Sequence, residues 1–180
     1  MCIRDRVEDL LALTRAEGTR LDLRPVDLLE LALSVGSSAR AAFPGREITV
    51  ANDAKSIPVV NGDASRLHQV LLNLVTNGIR HGGEDATVTL RLRREVNDVL
   101  VDVSDDGKGM SQEDAAHIFE RFYRADTSRT RDTGGSGLGL AIVHSLGEQH
   151  GGSISVDSEH GRGTTFTVRL PALADAPSEA

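Results

Sequence analysis

Apolar residues recur at helical spacing most regularly between Asp63 and His81. Leu67, Val70, Leu71, Leu74, Val75 and Ile79 form one stripe for a core. Asp63 precedes them as an N-cap, its carboxylate able to accept from free first-turn N–H groups. On another face Arg66, Gln69, Asn73, Asn77 and Arg80 fall within an arc of roughly 80°. Two asparagines on one stripe ask for a reason, because asparagine is a mediocre helix former. Two readings stand at this point. The face is either solvated, or it aims two amide oxygens at a bound cation with Arg80 beside anionic oxygen.

Around this helix the same patterning predicts the other elements. Val7 to Leu21 reads as a short helix that ends before Pro25, which disfavours helix at Arg24. A helix of that length needs a partner to pack on. Asp27 caps a second helix, Leu28 to about Ala42, closed by Phe43-Pro44-Gly45. Arg46 to Ala51 and Ser56 to Val60 are short strands split by a polar turn. After Gly82-Gly83 come two alternating strands, Thr87 to Arg93 and Val99 to Ser104, with Asn97-Asp98 as their hairpin turn. A helix is expected from Gln112 into Ile118-Phe-Glu-Arg-Phe-Tyr-Arg124, with Phe119 and Phe122 packing at i, i+3. Ala125 to Ser136 holds no large apolar residue and predicts a mobile loop. Leu138 to His150 is the last helix, and Ser153 to Asp157 pairs with Thr164 to Leu170 in a final hairpin. Without βαβ regularity, these elements predict an α+β fold, one mixed sheet with helices on one face.

Composition narrows the function. A formal net charge of −7 argues against nucleic-acid binding, which needs clustered Lys and Arg. One cysteine, Cys2, excludes an internal disulfide framework and fits a reducing compartment. No apolar run reaches the roughly 20 residues of a membrane helix. The expected location is cytoplasmic. Met1 to Arg6 resemble a translated adaptor remnant at the edge of an assembly and are given no structural role.

Two glycine-rich stretches carry candidate chemistry. Val103-Ser-Asp-Asp-Gly-Lys-Gly-Met110 leaves a strand, with Asp105 as a pure acceptor and Gly107 and Gly109 allowing close backbone approach. It is either a plain Asp-Gly turn or a carboxylate that takes a hydrogen bond from an exocyclic amine such as that of adenine. Gly134-Gly-Ser-Gly-Leu-Gly-Leu-Ala141 runs from the polar loop into a helix. Free N–H groups at a helix start suit phosphate oxygens, and a flexible hinge is the other reading. The stretch is not a P-loop, since no Gly-Lys-Ser/Thr follows, nor a dinucleotide fingerprint, since no strand precedes it.

Taken in order, these pieces resemble the ATP-binding domain of sensor histidine kinases from two-component systems. Asn73 and Asn77 match the N box, Asp105 to Gly109 the first glycine box, and Phe119 to Arg124 the F box. Gly135-Ser-Gly-Leu-Gly-Leu140 matches the second glycine box, and His150-Gly-Gly-Ser-Ile with Gly163 to Pro171 the closing hairpin. The resemblance implies a two-layer sandwich with a mostly antiparallel mixed sheet, the Bergerat ATP-binding fold, over residues 25–171. It implies ATP and Mg²⁺ as ligands. Asn77 is then the Mg²⁺ ligand, Asp105 reads the adenine amine, and Arg80 and Arg124 face the phosphates. Residues 125–136 become the ATP lid. The implied nucleotide set is Asn73, Asn77, Arg80, His81, Asp105, Gly107, Gly109, Met110, Arg124, Gly135, Gly137, Leu138, Gly139, Leu140 and Thr164. His81 stands where the family often has tyrosine. Related ATPases carry a glutamate base one turn before the Mg²⁺ asparagine. Asn73 stands there and cannot accept a proton from water, which favours phosphoryl transfer over hydrolysis.

Residues 7–24 resemble the end of a dimerisation and phosphoacceptor helix with its linker, and 172–180 a disordered tail. None of the six histidines is followed by an acid, as a phosphoacceptor histidine normally is. The resemblance therefore implies a fragment of a homodimeric kinase whose acceptor lies upstream and whose phosphate passes to a response regulator receiver domain. An inner-membrane anchor in the parent protein is compatible with it. An anti-sigma-type serine kinase and a non-catalytic nucleotide-binding module are the alternatives; the F box and the helix remnant count against the first, and four unbroken boxes against the second.

Overall fold

The structure, a computed structural model, describes residues 20–123 and 137–173. The chain runs through β1 (Arg24–Asp27), α1 (Leu28–Ala42), β2 (Ile48–Asn52), β3 (Val59–Gly62) and α2 (Ala64–Gly82). There follow β4 (Val88–Arg94), β5 (Asp98–Asp105), α3 (Gln112–His117), α4 (Gly139–Gln149), β6 (Ser153–Glu159) and β7 (Gly163–Pro171). Five strands form one mixed sheet in the order β2-β4-β5-β7-β6. Only the β2–β4 pair is parallel.

Alternation decides which face of the sheet is covered. Val88, Leu90 and Leu92 of β4, Val99, Val101 and Val103 of β5, and Phe166, Val168 and Leu170 of β7 all point to one side and are buried. Helices α1, α2 and α4 pack there, contributing Leu28, Ala32 and Val35, the whole apolar stripe of α2, and Ile142, Val143 and Leu146. Each fully buried side chain of this kind adds about 1.5–3 kcal/mol. The fold expected from patterning is the one observed.

The other face of the sheet is polar and braced by hydroxyl and ion pairs. Thr49 and Thr89 pair their hydroxyls at 2.9 Å, as do Ser104 and Thr165. Asp102 is buried there, accepting from Arg93 Nε at 2.6 Å, Arg93 Nη2 at 3.1 Å and Thr167 Oγ1 at 2.8 Å. Burial pushes its carboxyl pKa up, but the hydrogen bonds from Arg93 and Thr167 and the nearby positive charge outweigh that and hold it below the usual value. A depressed carboxyl contributes stability above its unfolded pKa of about 3.9 and loses it as pH falls through the folded value. Asp102→Asn should therefore cost about 1–3 kcal/mol at neutral pH, with the two proteins converging below about pH 4. Urea midpoints across that range check it; a deficit that persists in acid would assign the loss to packing instead.

Three elements depart from the sequence expectation. Arg24–Asp27, for which no strand was expected, forms β1 and pairs antiparallel with β3, a place where Pro25 needs no N–H because the strand is an edge. The strands read as neighbours across a polar turn separate. β2 joins the large sheet beside β4, while β3 pairs with β1. The helix expected to run to Arg124 stops at His117.

Candidate functional site

The organising helix α2 starts as expected, with Asp63 accepting from Arg66 N at 3.1 Å. Its six stripe residues are all at most 3% exposed. Asn73 and Asn77 are half-buried on the adjoining face, and among the described residues neither amide is taken up by a side-chain hydrogen bond. Arg80 is exposed and His81 half-buried at the C-terminal end.

Glycines bring that end of α2 onto the end of β5. A Cβ on Gly78 would sit 3.5 Å from Asp105 Cβ, and one on Gly82 would sit 3.4 Å from Asp105 Oδ1. The tightest approach between α2 and the turn after β5 is at Gly107, where an added Cβ would lie 2.2 Å from the Gly82 backbone. No side chain fits there, so glycine is required by space alone. Gly107 N–H donates to Asp105 Oδ1 at 3.0 Å and turns the chain back over the carboxylate. Burial pushes the Asp105 carboxyl above its ordinary pKa, and the Asp106 charge adds to this against the opposing hydrogen bonds from Gly107 and Thr164. Among the described residues this half-buried carboxylate has no cationic partner, which is unfavourable on stability grounds, and such groups concentrate at functional sites.

The next turn is tied to the closing hairpin. Gly109 adopts φ 66°, and a Cβ there would collide with Glu159 O at 2.0 Å. Met110 N–H donates to Ser158 Oγ at 2.9 Å, and that buried hydroxyl also meets Gly163 O and Thr164 Oγ1, each at 2.9 Å. Thr164 pairs in register with Asp105. Ser158, Gly163, Gly78 and Gly82 thus belong to the site, although sequence reasoning assigned none of them to it. Gly82 was visible only as a helix stop.

Past α3, Tyr123 Oη donates to Asp114 Oδ1 at 2.8 Å, and Ser111 caps α3 through Asp114 N–H at 3.0 Å. Phe119 packs as expected, edge-on to Phe166 with ring centroids 6.1 Å apart. Phe122 does not. It is 59% exposed at φ 64°, and its N–H donates to Gly137 O at 3.0 Å. The turn that makes this bond rotates the Phe122 side chain off the core. Arg124, Gly135 and the loop expected over 125–136 lie outside the described residues.

Helix α4 begins with Leu138, buried in the core, as its N-cap and without a side-chain cap. Among the described residues nothing stands within 4 Å of a Cβ built on Gly139. Gly137 and Leu140 flank it, both half-buried. The N–H groups of a helix start and the helix dipole suit an anion.

The architecture and this arrangement of glycines define a class. Residues 62–174 match the family of histidine kinase-, DNA gyrase B-, and HSP90-like ATPases, and the chain belongs to it. Its relatives include the probable sensor histidine kinase TcrY of Mycobacterium tuberculosis, 43% identical over 175 residues, which cover 96% of this chain and 36% of that protein. The sensor-like histidine kinase SenX3 of the same species is 40% identical over 174 residues, covering 96% of this chain and 42% of the relative. The chain thus spans less than half the length of either. Among solved structures, full-length ShkA in complex with AMPPNP superposes with a TM-score of 0.81 at 35% identity, over 98% of this chain and 37% of that one.

Proposed function

We propose that this chain is the Mg²⁺-ATP-binding catalytic part of a sensor histidine kinase. It transfers the γ-phosphate of ATP to a histidine on a dimerisation domain of the homodimeric parent protein, for relay to an aspartate of a response regulator receiver domain. The observation that carries this reading is the Asp105 carboxylate, half-buried at the strand end without a cation among the described residues and walled by Gly78, Gly82 and Gly107. Oδ1 accepts from Gly107 N–H, and the carboxylate keeps lone pairs that can accept from the exocyclic amine of adenine.

The residues present fit the nucleotide and its metal. No cluster of three His, Cys, Asp or Glu among the described residues could hold a metal by itself. Mg²⁺ commonly takes one or two protein oxygens plus phosphates and water, and Asn77 supplies such an oxygen. When bound, Mg²⁺ neutralises charge on the phosphates. Arg80 and Arg124 add positive charge on the phosphate side, and the N–H groups at the start of α4 receive phosphate oxygen. Asn73 has no proton-accepting group, so α2 positions the nucleotide without activating water. Among the described residues no helix is long and apolar enough to cross a membrane, and we place this part of the parent protein on the cytoplasmic side.

Titration calorimetry tests the metal assignment. ATP should bind at least tenfold more weakly when EDTA removes Mg²⁺, about 1.4 kcal/mol or more. Asn77→Ala should remove most of that difference. Equal binding with and without the metal would reject Asn77 as a ligand.

A further inference from the structure

Arg46 stands outside every motif that points to nucleotide binding, in the connection between α1 and β2. Its guanidinium nevertheless reaches the C-terminal end of α2. Nη2 donates to Ile79 O at 3.1 Å, and Nη1 donates to Gly83 O at 2.5 Å and to Glu84 O. The last carbonyls of a helix have no partner within it, and a cation there also meets the negative end of the helix dipole. The rigid planar fork of arginine can serve several carbonyls at once, as a lysine ammonium on its flexible stem cannot.

We propose that Arg46 is a positioning residue for the nucleotide site, setting the end of α2 against the Asp105 strand end. The base of the lever is firm on both sides. Arg46 N–H donates to Phe43 O at 3.2 Å, and the next residue, Glu47, accepts from Val88 N at 2.9 Å. Arg40 in the last turn of α1 donates twice to Ile48 O, at 2.8 and 3.1 Å, holding the start of β2. Beyond the fork the loop from α2 to β4 is pinned again, because Thr87 N–H donates to Asp106 Oδ1 at 2.8 Å. Between the Ile79 and Gly83 carbonyls that the fork holds lies Gly82, whose backbone abuts Gly107 and whose Cα faces Asp105. The same helix end carries Arg80 and His81 within one turn, and Asn77 about one and a half turns away. Releasing the fork frees this end of α2 to shift along the strand, and the shift reaches both the adenine-reading carboxylate and the amide face. A site of this kind tolerates about 0.5 Å of error before affinity suffers.

The inference rests on the ATP-binding reading, and the experiment separates the two. Wild-type, Arg46→Ala and Arg46→Lys chains are titrated with Mg²⁺-ATP and Mg²⁺-GTP at about 10 °C, where circular dichroism shows each variant folded. Arg46→Ala is expected to raise the Kd for ATP about tenfold and to lower the preference for ATP over GTP. Arg46→Lys, which keeps the charge without the fork, should fall between. Millimolar methylguanidinium should restore part of the affinity of Arg46→Ala and leave the wild type unchanged. A purely structural cap would lower the melting temperature and leave both Kd values and their ratio at wild type in the folded protein, which would overturn the proposal. If Arg46→Ala does not fold, Arg46→Lys decides: wild-type affinity and ratio in that variant overturn it. A wild-type chain that binds no ATP would instead remove the functional reading itself.

Discussion

Asp105→Ala is expected to weaken ATP binding by about tenfold to more than a hundredfold and to abolish the preference for ATP over GTP. Leaving one amine unpaired in a desolvated pocket costs about 1–3 kcal/mol, which sets that range. The fold should lose far less. Burial raises the folded pKa of Asp105 above its unfolded value. A carboxyl shifted in that direction stabilises the fold below the unfolded pKa of about 3.9, and loses that contribution as pH rises through the folded value. At neutral pH the ionised group is therefore a cost, offset in part by its bond from Gly107 N–H. Removing it relieves the first and forfeits the second. The wild type should also lose ATP affinity as pH falls through the raised pKa, because a protonated carboxyl accepts less well, and the alanine variant should not. Calorimetry with ATP and GTP at several pH values, beside urea melts, reads all of this. A variant that still preferred ATP would show that another group reads the base.

The chain alone should bind ATP and yet fail to label itself with phosphate, and a separately supplied phosphoacceptor domain should restore labelling on its own histidine. Phosphoryl transfer is mostly positioning and charge stabilisation, so the acceptor must arrive in line with the γ-phosphate. Three of the six described histidines are committed to other contacts. His150 is buried, its Nδ1 2.7 Å from Leu146 O and its Nε2 accepting from Asp63 N–H at 3.1 Å. His117 pairs with Glu120 at 2.6 Å, and the ring of His144 packs tilted against Phe119 with centroids 5.5 Å apart. Turnover of ATP by water should be slow as well, because Asn73 offers no base. Incubation with γ-labelled ATP, followed by acid and alkali stability of the product, separates phosphohistidine from phosphoserine. Strong acid-stable labelling of the chain alone would sink the histidine-kinase reading.

Much of the fold was legible because short-range rules govern it. Asp27 and Asp63 are N-caps in sequence and in structure, since a cap needs only the first turn beside it. The α2 stripe and the alternation of β4 and β5 depend on periodicity alone, and their buried faces follow directly. Pairing partners are different. Nothing local in Ile48–Asn52 says that it lies parallel to Val88–Arg94, or that Val59–Gly62 leaves it for Arg24–Asp27, because strand pairing is decided by contacts far apart in sequence. The end of α3 and the exposure of Phe122 were missed for a related reason. An i, i+3 aromatic pair looks helical until the backbone bond from Phe122 to Gly137 turns the chain away.

The candidate site divides along the same line. By itself the sequence determined the types and order of the chemical groups: two amides on one helix face, one strand-end carboxylate among glycines, and a glycine-rich helix start. Those types are set by side-chain chemistry, which needs no coordinates. Only the tertiary structure decided which backbone each glycine admits. Gly107 must lack a side chain because a Cβ there would run into the Gly82 backbone at the end of α2, a fact of packing between residues far apart in the chain. It also decided that Ser158 ties the first glycine turn to the closing hairpin, and that Arg46 caps α2 from across the domain. A serine in a strand and an arginine in a loop have no periodicity and no motif. Their roles arise only when the fold sets them against the unpaired backbone groups of a distant element.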